Sequence, residues 1–196
     1  MKIVGGRLRG RRFPGPPGNS TRPTAERTRE AVASALMARG AIEDARVLDL
    51  YAGTGALAFE ALSRGARRAS LVERDARVAR ALSASAESRG LSDEVQVFRE
   101  DLNRERAFQR LAQGAPGPYE LVFADPPYAD LPDALQVLGN LAKTALLAEG
   151  AVVVLEHASK ATPDLPEPFE QLAHYRYGDS AITLFEVSSV GETPGG

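Results

Sequence analysis

Short apolar runs alternate with helical segments along most of the chain, starting at Ala45. An apolar run followed by a helix predicts a βαβ unit, and several such units in succession predict an α/β fold with a mainly parallel sheet. The runs after His157 instead predict an antiparallel pair that turns at Gly178-Asp179. The predicted strands are 46–50, 69–73, 94–99, 119–124, 150–156, 169–177 and 180–187, with helices near 56–64, 75–89, 103–113 and 131–146.

The first 40 residues do not follow this pattern and predict a small extension. Residues 2–13 favour a short β-hairpin because β-prone pieces flank glycines, and a loop rich in proline and glycine follows. Thr24 is the predicted N-cap of a helix that ends near Arg39. The domain prediction is an extension at 1–40, a main domain at 41–188 and a flexible tail at 189–196.

Composition limits the classes of protein that the chain can represent. With 196 residues it fits one domain with a substantial core, and the absence of cysteine excludes disulfides and cysteine-bound zinc. No stretch approaches the roughly 18 apolar residues that cross a bilayer, and the start lacks the apolar core of a signal peptide. The absence of cysteine is compatible with a reducing compartment, so we expect a cytoplasmic protein. His157 and His174 have no partner at ligand spacing, so we expect no metal site.

Charge is distributed unevenly along the chain. Residues 1–30 hold eight basic and two acidic residues, a charge of +6, whereas the remaining 16 basic and 24 acidic residues give −8. A cationic arm on an acidic body is a plausible contact for a polyanion such as RNA, because binding releases condensed counterions. The alternative is a solvated basic tail with no binding role.

Polar residues and glycines follow the apolar runs, at positions where an α/β sheet binds its ligands. Asp49 and the glycine loop to Gly55 follow the first run, Glu73 ends the second, and Asp101 follows the third. These positions suit the ammonium, ribose and adenine groups of S-adenosylmethionine (SAM), respectively. The predicted cofactor-binding residues are Asp49, Tyr51, Ala52, Gly53, Gly55, Glu73, Arg74, Asp101 and Leu102.

Two alternatives compete with SAM at this loop. Acidic residues at strand ends are often helix caps, and a glycine turn after a strand is common architecture. Gly53-x-Gly55-x-x-Ala58 also matches the fingerprint of a nicotinamide dinucleotide site. Asp49 favours SAM over the dinucleotide, because a carboxylate would repel a pyrophosphate and attract an ammonium group.

The sequence Asp125-Pro126-Pro127-Tyr128, directly after the fourth run, predicts a catalytic clamp for a planar amino group. The lone pair of such an amino group is delocalised, so acceptors must turn it toward the SAM methyl group. The Asp125 carboxylate and the Pro126 carbonyl can each accept one N–H, and the two prolines hold the turn rigid. Tyr128 offers an aromatic face on which a flipped base can stack.

These residues and several others are similar to one family, the bacterial 16S ribosomal RNA guanine-N2 methyltransferases of the RsmD type, within the class I SAM-dependent methyltransferases. The resemblance covers most of the chain. Its specific motifs are the N-terminal glycine-arginine segment and Arg22-Pro23-Thr24, and the order of elements also agrees. The matching segments are Ile3-Val4-Gly5-Gly6, Arg9-Gly10-Arg11, Arg22-Pro23-Thr24, Arg27-x-Arg29-Glu30, Asp49 to Gly55, Glu60-Ala61-Leu62-Ser63-Arg64-Gly65, Val72-Glu73 and Asp125 to Tyr128.

The resemblance implies methyl transfer from SAM to N2 of one guanine in 16S rRNA, with S-adenosyl-L-homocysteine as product. It implies a seven-stranded, Rossmann-like sheet that is mostly parallel with an antiparallel C-terminal hairpin. The expected partner is 16S rRNA in a small-subunit assembly particle, with no membrane contact, and we expect the enzyme to act as a monomer. The candidate RNA-binding residues are Arg7, Arg9, Arg11, Arg12, Arg22 and Arg29.

Three other functions remain open at this point. The same clamp serves adenine N6, cytosine N4 and the side-chain amide of a protein glutamine. An NAD-dependent oxidoreductase is supported only by the glycine fingerprint. A non-catalytic RNA-binding or assembly factor is suggested by the basic arm on a methyltransferase-like body.

Overall fold

A seven-stranded sheet forms the centre of the computed structural model, which describes residues 2–13 and 23–188, apart from the side chains of residues 23–25, 105 and 128. The strands are β1 (Arg46–Asp49), β2 (Arg68–Val72), β3 (Val95–Phe98), β4 (Tyr119–Ala124), β5 (Leu147–Ala158), β6 (Phe169–Tyr177) and β7 (Ser180–Val187). The helices are α1 (Pro23–Ala38), α2 (Ala56–Ser63), α3 (Ala76–Glu87), α4 (Glu105–Gly114) and α5 (Leu131–Ala142), with a short 3-10 turn at Tyr128–Asp130.

The strand order is β3-β2-β1-β4-β5-β7-β6. The first five strands in this order are parallel, and β7 runs antiparallel to both β5 and β6. This confirms the predicted sheet, including the C-terminal hairpin. In the part of the chain that is described, no helix is both long and apolar enough to cross a bilayer.

The central strands are apolar on both faces because a hydrophobic core lies on each side of the sheet. Val47 and Phe123 belong to one core, whereas Leu48 and Val122 belong to the other. A parallel strand that is covered on both faces has no polar side to expose, so its sequence is a continuous apolar run. This burial explains why β1 and β4 lack the alternation of a half-exposed strand.

Several predicted boundaries shift in the structure. The fifth strand extends beyond 150–156 because it pairs with Tyr119 of β4 at its start and with Ser180 of β7 at its end. The last helix ends at Ala142 rather than 146, since Thr144 accepts the Leu146 N–H through Oγ1 and turns the chain into β5.

The N-cap predicted at Thr24 is wrong. The first helix begins at Pro23, which makes Thr24 an internal residue of the first turn. Proline suits this position because its missing N–H would have no partner there. The predicted Pro/Gly-rich loop and the predicted tail at 189–196 lie outside the described residues. Asp75 does cap α3, accepting the N–H groups of Arg77 and Val78.

The N-terminal hairpin is minimal, with a single antiparallel bridge between Lys2 and Arg12 among its described residues. Its tight turns are held by main-chain hydrogen bonds, including one of 2.9 Å from the Gly10 N–H to the Ile3 carbonyl. Ile3 and Phe13 are buried, so the hairpin contributes apolar side chains to the core. The segment is therefore packed onto the main domain.

The buried carboxylate of Glu60 attaches this N-terminal segment to α2. Glu60 accepts the N–H groups of Val4 at 2.9 Å and Gly5 at 2.8 Å, and Nε of Arg64 at 2.9 Å. Arg64 also donates to Glu30 of α1 at 2.5 Å. Because Glu60 is only 2 % exposed, these hydrogen bonds replace the water that its carboxylate loses on burial.

Gly6 makes the closest approach in this contact. Its φ is +73°, and a Cβ atom there would lie 1.8 Å from the carbonyl oxygen of Ser63. The Arg7 N–H donates to that same oxygen at 2.7 Å, and the Leu8 N–H donates to the Ser63 hydroxyl at 2.8 Å. Only glycine fits between these contacts.

Gly6→Ala should therefore undock the N-terminal segment. We expect a loss of unfolding free energy at least about 2 kcal/mol larger than for Gly10→Ala. Gly10 is the matched control, because its φ is +82° but nothing lies within 4 Å of the position that a Cβ would take, so it reports backbone strain of about 1–2 kcal/mol alone. Urea unfolding followed by circular dichroism measures both, and equal losses would contradict the docking role of Gly6.

Candidate active site

The carboxyl ends of β1 to β4 and the last part of β5 open into one cavity of about 1180 Å³. This size is ample for a nucleoside cofactor with a base beside it. The cavity brings together eleven of the residues predicted to bind cofactor or substrate. They are Asp49, Tyr51, Ala52, Gly53, Glu73, Arg74, Asp101, Leu102, Asp125, Pro126 and Pro127.

Asp49 holds the loop between β1 and α2 in place through hydrogen bonds to its backbone. It is only 2 % exposed, and its carboxylate accepts the N–H groups of Tyr51 and Ala58. Burial raises the pKa of Asp49 to about 7, the backbone donors act against this rise, and the nearby Glu73 carboxylate adds to it. A positive charge in the cavity would favour the ionised form of Asp49.

The two glycines of the loop have different roles. Gly53, at φ +50°, lines the cavity, and a Cβ atom there would meet only the Tyr51 carbonyl oxygen, at 3.8 Å. Gly55, at φ +72°, faces the core, where a Cβ atom would lie 2.6 Å from the ring of Phe59. Gly55 is needed for packing and is not among the residues that line the cavity, so its predicted role in cofactor binding stays a prediction.

Glu73 stands at the end of β2 and holds the glycine loop. Its carboxylate accepts the Gly53 N–H at 3.1 Å and the Asp75 N–H at 2.8 Å. The side chain is half-buried and lines the cavity. Glu73 thus connects the loops after β1 and β2, and its predicted role toward a ribose stays a prediction.

Asp101 occupies the corresponding place after β3. It accepts the Asn103 N–H at 3.2 Å and the Nε of Arg104 at 3.2 Å, while Leu102 beside it is buried. These bonds orient the carboxylate in a turn at the cavity wall. A hydrogen bond from Asp101 to an adenine amino group stays a prediction.

The cavity is strongly acidic. Arg74 is the single basic residue among the described residues that line it, against eight carboxylic acids. Its tyrosine is neutral, since burial raises the pKa of Tyr51 to about 12 and Asp133 and Asp130 add to the rise. The eight acids are Asp49, Glu73, Glu100, Asp101, Asp125, Asp130, Asp133 and Glu156.

This charge distribution discriminates between the two candidate cofactors. SAM carries a sulfonium and an ammonium group against one carboxylate, so a negative cavity attracts it. A dinucleotide carries an anionic pyrophosphate, which the same carboxylates repel. The residues present fit SAM and do not fit a nicotinamide dinucleotide.

The Asp125-Pro126 corner presents two acceptors to the cavity. No donor among the described residues reaches the Asp125 carboxylate or the Pro126 carbonyl. The next carbonyl, that of Pro127, accepts the Asp130 N–H at 2.8 Å and starts the 3-10 turn. The corner therefore leaves a pair of acceptors for a ligand with two N–H groups.

The environment of Asp125 disfavours its negative charge. Surrounding protein raises the pKa of Asp125 above its usual range, and the carboxylates of Glu156 and Asp49 add to the rise. Water reaches the exposed side chain through the open cavity, so solvation offsets part of this effect. An N–H donor in the cavity would favour the charged form.

Sequence reasoning missed Glu156. Leu155 of β5 pairs with Ala124 of β4, so Glu156 and Asp125 follow at the same level of two adjacent parallel strands. Glu156 lines the cavity beside the clamp. The signal was present in the sequence, because Glu156 ends the apolar run 151–155 just as Asp125 ends that of β4.

Tyr128 lies in the 3-10 turn at Tyr128–Asp130, and its side chain is outside the described part of the structure. Its predicted role, stacking on a flipped base, stays a prediction.

The predicted RNA-binding arginines fall into four groups. Arg9, Arg11 and Arg12 are exposed on the N-terminal hairpin. Arg7 forms an ion pair with Glu94, although its side chain is 48 % exposed. Arg22 lies outside the described residues.

Arg29 does not reach the surface. It is 8 % exposed and donates to the Lys2 carbonyl at 3.1 Å. A phosphate contact is therefore excluded for Arg29 in this conformation, because its guanidinium is enclosed by protein. Arg27, two residues earlier in the same helix, is exposed. Two neighbouring basic residues of the sequence therefore have opposite environments in the structure.

The strand order, the glycine loop after β1 and the acidic cavity define a class I SAM-dependent methyltransferase. The sequence model of the family described as conserved hypothetical protein 95 matches residues 1–186, and the chain belongs to that family. It is 31 % identical to ribosomal RNA small subunit methyltransferase D of Escherichia coli K12 over 98 % of this chain and 93 % of that protein.

Solved structures agree with this assignment. A candidate methyltransferase of Escherichia coli, yhhF, superposes with a TM-score of 0.76 at 30 % identity, over 96 % of this chain and 98 % of the other. A protein from a Thermus species superposes with a TM-score of 0.73 at 31 % identity, over 95 % and 99 % of the two chains. The similarity thus covers nearly the full length in each case.

Glu73→Gln should weaken S-adenosylhomocysteine binding about 10- to 100-fold, because a hydrogen bond to a charged acceptor contributes roughly 1.5–3 kcal/mol. The exposed Glu87→Gln on α3 carries the same charge change outside the cavity and should bind normally. Isothermal titration calorimetry measures both affinities. Heat on titration with NAD, but none with S-adenosylhomocysteine, would contradict the cofactor assignment.

Proposed function

We propose that this protein methylates the exocyclic N2 of a specific guanine in 16S rRNA of the small ribosomal subunit, using SAM. The observation that carries the proposal is the pair of acceptors at Asp125-Pro126, which no donor among the described residues reaches and which prolines hold at the edge of an acidic, cofactor-sized cavity. The relative named as a small-subunit rRNA methyltransferase supports the substrate class. The choice of guanine N2 rests on the family resemblance of the motifs.

The residues that would hold the cofactor are those of the first three strand ends. Gly53 allows close approach of the backbone, Glu73 suits the ribose hydroxyls, and Asp101 with Leu102 suits the adenine. Asp49 is placed beneath the loop, where its charge favours a cationic ligand. When bound, SAM supplies a sulfonium methyl group whose bond to sulfur breaks as a bond to the substrate nitrogen forms.

The clamp residues prepare the substrate nitrogen for this transfer. Asp125 and the Pro126 carbonyl each accept one N–H of the amino group, which turns its lone pair out of conjugation with the ring. The nitrogen becomes positively charged on methylation, and the Asp125 carboxylate accepts the proton that it loses. The open cavity then lets this proton pass to water. Positioning supplies most of the rate effect.

RNA contact is proposed for the N-terminal hairpin. Arg9, Arg11 and Arg12 are the exposed arginines there, and the docking of residues 3–8 on α2 fixes them relative to the main domain. We also propose that the substrate is rRNA in a small-subunit assembly particle. The enzyme acts as a monomer in the cytoplasm.

The catalytic prediction concerns Asp125. Asp125→Ala should lower methyl transfer at least about 100-fold because it removes one of the two acceptors. Asp125→Asn should lose less, since its side-chain carbonyl still accepts one N–H. The measurement is transfer from labelled SAM to under-methylated small subunits, with N2-methylguanine identified by mass spectrometry of the nucleosides.

Asp93→Ala is the control, because Asp93 is exposed and precedes β3 at the opposite edge of the sheet. Absence of N2-methylguanine with the unmodified enzyme would refute the proposed reaction, and N6-methyladenine or N4-methylcytosine would redirect it. Full cellular function of Asp125→Ala would favour a non-catalytic assembly factor.

The second prediction concerns RNA affinity. Replacing Arg9, Arg11 and Arg12 by glutamate should weaken binding to small-subunit rRNA and lower the slope of log affinity against log salt by about 2–3, since each lost phosphate contact reduces it by roughly 0.7–0.9. Filter binding across a salt series measures the slope.

The matched control replaces Arg39, Arg67 and Arg68, which are exposed near the amino ends of the strands. It changes the net charge equally, so a purely global charge effect would alter both variants alike. That result would reject the hairpin as the RNA contact, and SAM affinity should not change in either variant.

A further inference from the structure

Glu156 is a second carboxylate beside the clamp, and neither the cofactor nor the amino group needs it. It lies next to Asp125 on the adjacent parallel strand and lines the same cavity. Alternation along the strands assigns both side chains to the sheet face that contains Phe123 and Val154. Two acceptors thus stand side by side at one end of the cavity.

Burial raises the pKa of Glu156, and two neighbouring groups act against this rise. The Ser180 side chain forms a hydrogen bond with it, and the positive charge of Arg29 acts on it from α1. Arg29 is more than nine-tenths buried, and its Nε has no hydrogen-bond partner among the described residues. A buried guanidinium without a full set of acceptors needs a nearby negative charge, and Glu156 supplies one.

The chemistry of the bases gives this carboxylate a use. On guanine, the amino group at N2 is adjacent to N1–H, so that edge presents a row of donors. On adenine and cytosine, the ring nitrogen next to the amino group is an acceptor. A carboxylate facing the ring nitrogen therefore attracts guanine and repels the other two bases. Flipped bases are recognised through this edge.

We propose that Glu156 accepts the N1–H of the guanine whose amino group is held by Asp125 and Pro126, and that Arg29 is a positioning residue behind it. This assignment rests on the proposed function and deepens it. The clamp selects an amino group, and Glu156 selects the base that carries it. The same pair of carboxylates would disfavour a glutamine amide, which has no ring N–H to offer.

The test uses 2-aminopurine, which keeps the N2 amino group and the glycosidic position of guanine but has an acceptor at N1 and no O6. Small subunits are reconstituted from ligated rRNA with guanine or 2-aminopurine at the nucleotide that the methylation assay identifies. Rates from labelled SAM are compared for the unmodified enzyme and for Glu156→Gln. For each enzyme we take the ratio of the rate on guanine to the rate on 2-aminopurine. Comparing this ratio between the two enzymes removes the effect of the missing O6, because both enzymes experience it.

We expect the unmodified enzyme to prefer guanine at least about tenfold, because a charged acceptor would otherwise face an acceptor. Glu156→Gln should reduce this preference to within a few-fold, since its amide can turn and donate to N1 of 2-aminopurine. Glu100→Gln, the same change at another position of the cavity wall, should retain the preference. Affinity for S-adenosylhomocysteine confirms that each variant is folded.

The outcomes separate the two proposals. If the unmodified enzyme methylates neither substrate, the proposed function is refuted and this assignment with it. Equal rates on guanine and 2-aminopurine would overturn the role of Glu156 while the function stands. A proportional loss on both substrates in Glu156→Gln would show a structural role only, and would also overturn it.

Discussion

Parallel pairing is the constraint on which the site depends. Because β1 to β4 run in the same direction, the residues that follow them meet at one edge of the sheet. Asp49, Glu73, Asp101 and Asp125 are up to 76 residues apart in the chain, yet they line one cavity. An antiparallel arrangement of the same strands would divide these four carboxylates between two edges.

The eight acidic residues that line the cavity influence the free energy of the protein before it binds a ligand. Burial raises the pKa values of Asp49 and Asp125, and repulsion between the neighbouring carboxylates adds to the rise. A cationic cofactor and a donor-rich base relieve this repulsion. The binding free energy of both ligands therefore includes relief of repulsion that already exists in the protein.

The strand-end rule accounts for what the sequence could predict. It located Asp125 and Glu73, and the run of apolar residues located the strands themselves. Glu156 was missed although it ends the predicted strand 150–156, and the structure shows that this strand continues past the cavity to Ala158. The packing role of Gly55 could not be foreseen, since the ring it meets belongs to the following helix and only the folded backbone brings the two together.

Charge counts along the chain were informative only in part. The basic N-terminal segment is real, but Arg29 is enclosed and Arg7 is paired with Glu94, so neither is a free surface cation. A sequence gives the number of charges, whereas long-range contacts decide which of them face solvent. Among the described residues of the segment, Arg9, Arg11 and Arg12 of the hairpin are exposed, as are Lys2 and Arg27.

Attachment of the hairpin through Glu60 also fixes an order of events during synthesis. Val4 and Gly5 are made first, but the carboxylate that receives their N–H groups lies 56 and 55 residues later. At about 5–20 residues per second, the leading segment waits roughly 3–11 seconds on the translating ribosome before its partner emerges. During this interval its arginines are not yet docked on α2, and they stand on a particle made largely of RNA.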